Sequence, residues 1–97
     1  MYFRTQREMF NYIWETRPHV SQLTGVPLEH QKGSKMWHWQ FLHVLPKGKF
    51  KKYALNSDNI LLGTPEEHEN QNKYQVFNDR YTELHQQYYR QHYNKEF

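Results

Sequence analysis

The chain has 97 residues, a net charge of +3 with its seven histidines neutral, 18% aromatic residues and no cysteine. That length suits one domain (1–97) burying ~60–65% of the surface its unfolded form exposes, and eight Tyr, six Phe and three Trp imply a core built from rings. The missing cysteine excludes disulfides and thiolate zinc sites; no run reaches the ~18 apolar residues of a membrane span and no signal-peptide pattern is present, so a soluble cytoplasmic protein is expected.

Residues 2–16 predict a helix, because Phe3, Met9, Phe10, Ile13 and Trp14 fall near one face. Pro18 ends it. Residues 19–35 are irregular, with Gly25, Pro27, Gly33 and Ser34 as turn signals. Residues 36–45 are aromatic-rich and partly alternating, which predicts a strand. Strand parity then puts Trp37, Trp39, Phe41 and His43 on one face and His38, Leu42 and Val44 on the other.

Pro46, Lys47 and Gly48 form a turn. Residues 50–55 read as a short strand or loop, 56–59 as a polar turn and 60–62 as a second strand, broken by Gly63. In "TPEE", Thr64 is an N-cap, Pro65 sits at N1 and Glu67 at N3 completes a capping box. A helix is expected over 64–93. Its stripe of Tyr74, Phe77, Tyr81, Leu84 and Tyr88 would pack on the first helix, and the final "YNKEF" would fray. The fold class is α+β with little sheet.

Three chemistry-bearing residues are spaced so that a hairpin followed by a helix folds them into one cleft. His43 ends the first strand, Asn59 precedes the second and His68 lies on the first turns of the following helix. Beside them Lys47, Lys49, Lys51 and Lys52 form a basic run. Each has a bland reading: a core histidine, a turn asparagine, a solvated helix histidine and a solvated loop.

The segment His43-Val44-Leu45-Pro46-Lys47-Gly48, followed by Asn59-Ile60-Leu61-Leu62 and Glu67-His68, resembles the HNH endonucleases, in particular small phage-encoded members with an "HVLPKG" run. The resemblance spans about residues 21–72. It implies a ββα-metal hairpin-plus-helix core flanked by the N-terminal helix and the long C-terminal helix. It also implies metal-dependent hydrolysis of DNA phosphodiesters, in a phage- or mobile-element-encoded protein acting in a bacterial cytoplasm. Carried over, His43 is the general base, Asn59 braces the loop holding it, and His68 binds one divalent metal. Magnesium or manganese is expected, with zinc or nickel as alternatives, and no structural cysteine zinc. The four lysines would neutralise DNA phosphates.

Two departures accompany the resemblance. Leu42 stands where many members carry an acidic or histidine ligand, so Asn59 or Asn72 is considered as a substitute ligand. Where many members hold a zinc between two Cys-x-x-Cys knuckles, this chain has Ser21 and Thr24, then Thr64 and Glu67, and the terminal helices are expected to take over as the staple. A metal role for His38 is disfavoured, since parity separates it from His43. Two other readings stay open. One is an inactive HNH-like module binding a host or phage protein or nucleic acid. The other is a helix-rich domain that self-associates through its last helix, where Tyr89, Arg90, His92 and Tyr93 could form an interaction surface.

Overall fold

A computed structural model describes the backbone of residues 1–92 and the side-chain surroundings of residues 1–90. The chain folds as an α+β domain. Helix α1 (Gln6–Thr16) precedes strand β1 (Phe41–His43). Strand β2 (Ile60–Leu62), the short helix α2 (Pro65–Glu69) and helix α3 (Gln75–His92) follow. β1 and β2 pair antiparallel, with Phe41 opposite Leu62, Leu42 opposite Leu61 and His43 opposite Ile60. Among the described residues, no helix is long and apolar enough to cross a membrane.

α1 starts later than the apolar pattern suggested, because Thr5 caps it: its hydroxyl accepts the Glu8 N–H. Residues 1–3 instead run along residues 55–57, with Phe3 N–H donating to the Leu55 carbonyl and Ser57 N–H to that of Met1. Arg17, just past α1, donates to the backbone carbonyls of Ile60 and Ser57 and fastens the helix end to β2.

The expected strand over 36–45 is shorter. Trp37–Gln40 is a 3₁₀ turn, and only Phe41–His43 pairs. In a strand, residues four apart lie ~13 Å from one another. Here the Trp37 and Phe41 rings meet edge to face at 4.9 Å, and Phe41 stacks on Phe10 at 4.0 Å. Ring packing against α1 favours the tighter turn over extension. Residues 50–55 likewise hold a 3₁₀ turn, Lys51–Tyr53.

The expected helix over 64–93 is two helices. The capping box forms as read, with Thr64 Oγ1 accepting the Glu67 N–H and Glu67 Oε1 accepting the Thr64 N–H. α2 then stops at Asn70, whose backbone and side-chain N–H groups close on the last carbonyls of α2. A 3₁₀ turn, Gln71–Lys73, and an extended Tyr74 separate it from α3. The final five residues, including Tyr93, lie outside the described chain.

α3 does not pack on α1. The two helices cover opposite faces of the hairpin. Met9, Phe10, Ile13 and Trp14 join Phe41, Ile60 and Leu62 in one cluster. Phe77 and Leu84 join Leu42, Val44, Leu45 and Leu61 in the other, with Tyr74, Tyr81 and Tyr88 at its edge. A two-stranded hairpin is marginal alone, and cover on both faces is what makes this one stable. Space is tight at Gly63, where β2 turns into α2: a Cβ there would meet Leu42 Cδ1 at 3.0 Å and Glu67 Oε1 at 3.1 Å.

Candidate active site

His43 is the last residue of β1, on the α1 face of the hairpin, 6.3 Å from the Phe10 ring. The chain leaves the strand at once and is held there by Asn59. The Asn59 backbone carbonyl accepts the Val44 N–H at 2.9 Å. Its side-chain Oδ1 accepts the Leu45 N–H at 2.7 Å, and Nδ2 donates to the carbonyls of Leu45 at 3.0 Å and Tyr53 at 3.2 Å. Asn59 is 1% exposed and every polar atom of its amide is engaged. This arrangement holds the chain just after His43. It also removes Asn59 as a metal ligand, since coordination would cost hydrogen bonds that hold the His43 loop.

His68 sits on α2, half-buried, its N–H bonded to the Thr64 carbonyl. The capping box thus sets both where α2 begins and where His68 faces. His43 and His68 line one pocket of ≈ 430 Å³. Lys47 and Gln6 line it too, and Lys47 Nζ donates to Gln6 Oε1 at 3.0 Å, joining the turn after β1 to α1. Gln71 also reaches the pocket. Asn72 is exposed and lies outside the pocket lining, so it is not the substitute ligand considered from the sequence.

The Ala54 backbone favours the protonated form of the His43 ring. Its Nε2 is buried without a partner. Burial, chiefly, and the nearby Lys47 charge, with a smaller effect of His68, push the imidazole down to about 4. His68 also lies below the ordinary histidine value, from burial foremost, with Glu69 opposing and His38 adding to the effect. Both rings are neutral at pH 7.

Leu42, 0% exposed, belongs to the core on the α3 side and contributes nothing to the pocket. His38, which sequence reasoning set aside, does line it, and so does Trp39. The 3₁₀ turn breaks the strand parity that had separated His38 from His43. The signal available in the sequence was the Trp37–Phe41 spacing, which is also helical. Lys49, Lys51 and Lys52 are exposed on the adjacent loop, and Lys49 Nζ lies 5.9 Å from the Phe50 ring centre. Among the described residues, no three His, Cys, Asp or Glu side chains form a group able to hold a metal.

Next to the pocket, the four positions matched to the absent zinc knuckles come together around one carboxylate. Glu67, 5% exposed, accepts from Ser21 Oγ at 2.6 Å, from the Thr24 hydroxyl, and from Thr64 N–H at 2.9 Å. Ser21 Oγ in turn accepts the N–H groups of Leu23 and Thr24, each at 3.1 Å. These bonds hold the Glu67 carboxyl below its usual range although burial pushes it up. The staple joining the loop at Ser21 to α2 is this hydrogen-bonded cluster, not the terminal helices. Comparison with family models, with curated proteins and with solved structures finds no match for this chain.

Proposed function

We propose that this chain is a divalent-metal-dependent nuclease of the HNH type, with a ββα-metal core formed by β1, β2 and α2, that hydrolyses DNA phosphodiester bonds. The observation that carries the reading is the placement of His43 and His68 in one pocket, with His43 Nε2 unpartnered and the loop behind it braced by Asn59. The Glu67 cluster supports it as well, because it gathers the positions the family fills with zinc-binding cysteines.

The donor chemistry of the pocket fits an ion that accepts imidazole nitrogen. Among the described residues no carboxylate lines it, so zinc or nickel suits it better than magnesium. When bound at His68, such an ion supplies charge stabilisation at the scissile phosphate. His43, neutral at pH 7, takes a proton from the attacking water. A phosphate beside the ring raises its proton affinity in the complex. Lys47 neutralises a phosphate oxygen, and taking up that role releases Gln6 and frees the pocket between them. The exposed Lys49, Lys51 and Lys52 extend the same sequence-independent contact.

Leu42 in the core and the absence of a three-residue ligand group among the described residues favour a second reading, a fold that binds nucleic acid or protein without cutting. Incubation of supercoiled plasmid with the protein and zinc, nickel, manganese or magnesium in turn separates the two. Nicking with at least one ion that is lost on chelation supports the nuclease. Retention of DNA in a mobility shift with no cleavage under any ion supports the binding module.

A further inference from the structure

We propose that His38 and His68 together form a two-imidazole divalent-cation site at the rim of the pocket, His38 taking the ligand role that Leu42 leaves vacant. The inference rests on the nuclease reading and adds a residue to it. Three observations carry it. Both histidines line the same pocket, although one comes from the 3₁₀ turn before β1 and the other from α2. The element pair is in direct contact, so the two backbones are held in register by the fold. Trp39 bridges them: its ring lies 4.9 Å from His38 and edge-on 5.6 Å from His68.

Chemistry selects the ligand class. Neutral imidazole binds zinc and nickel well, and two protein nitrogens leave positions for water and phosphate oxygen. A hydrolytic site needs such open positions, whereas a structural one fills all four. His38 is exposed and His68 half-buried, so a cation has an approach from solvent. His43 is not part of this pair: in the reaction proposed above its ring serves the attacking water and not the cation.

Calorimetric titration of the full chain with zinc or nickel alone, at pH 7.5, tests this. One cation is expected to bind per chain. His38→Ala, His38→Gln and His68→Ala should each weaken binding at least tenfold, while His43→Ala changes it less than threefold. Zinc should also move the ring nitrogen resonances of His38 and His68 in the wild type. Since His38 is exposed, its two variants should melt within a few degrees of the wild type, so weaker binding reads the ligand and not unfolding. If the wild type binds a cation and both His38 variants bind it equally well, His38 is no ligand and the proposal is overturned while the nuclease reading stands. If the wild type binds none of zinc, nickel or manganese, both the proposal and the metal dependence beneath it fall.

Discussion

Replacement of Glu67 by glutamine probes the staple that sets α2, and with it His68. The carboxylate accepts three hydrogen bonds in a nearly dry site. Hydrogen bonds to a charged group contribute ~1.5–3 kcal/mol each, and less than their sum when they share one acceptor. Glutamine keeps the shape but brings an NH₂ against a hydroxyl partner. It cannot face Ser21 well, because Ser21 Oγ already accepts from Leu23 and Thr24. We expect a loss of ~2–3 kcal/mol at pH 7, which for a domain of this size lowers Tm by ~10–20 °C. The pH dependence has a definite sign. The folded carboxyl lies below its reference value of 4.5, so its contribution is complete above that pH and disappears as pH falls through the lower folded value. Urea unfolding of both proteins from pH 7 down to pH 3 should therefore show two curves that converge in acid. A difference under ~0.5 kcal/mol at pH 7, or one that stays constant down to pH 3, would refute the reasoning.

Other outcomes follow from the same contacts. Lys47→Met removes one of the causes that depress His43, so the acid limb of kcat/KM should move from near pH 4 toward 6.5, only partway because burial is the larger cause; an unmoved limb would show that Lys47 does not act on the ring. The same variant should reduce the slope of log affinity against log salt for DNA by roughly 0.9, one phosphate contact. Asn59→Asp keeps an acceptor for Leu45 N–H but sets a carboxylate against the Leu45 and Tyr53 carbonyls, and should cost ~2–4 kcal/mol in chemical denaturation; a near-neutral result contradicts the brace. Joint replacement of Ser21, Thr24, Thr64 and Glu67 by cysteine should create a four-sulfur site, visible as thiolate-to-cobalt charge-transfer bands on cobalt titration. Their absence would mean that the four positions do not converge as the Glu67 cluster indicates.

Local signals of capping and turn chemistry were legible in the sequence. The Thr64–Glu67 capping box, the Pro46–Gly48 turn, β2 and the buried face of α1 all form where their residues indicated. What misled was the competition between local propensity and ring packing. Trp37 to Phe41 has strand composition, yet the contact of its outer rings with each other and with α1 is available only to a turn. Asn70 and Asn72 interrupt a run that the apolar stripe carried through, and asparagine competes with helix by bonding the backbone locally. The placement of α3 required reading both faces of the hairpin: Leu42 and Leu61 are buried opposite Phe41, Ile60 and Leu62, so one helix cannot cover all five. His43, Asn59 and His68 could be named from spacing, but His38 could not, because its position depends on that 3₁₀ turn.

The central claim is that His43 is the proton acceptor of a phosphodiester hydrolase. The measurement that addresses it most directly is single-turnover cleavage of plasmid DNA by wild type and His43→Ala, with cation and DNA affinities determined on the same samples. The account predicts a fall of ~10²–10⁴ in rate with both affinities retained within a few-fold. Cleavage by His43→Ala at the wild-type rate would contradict it.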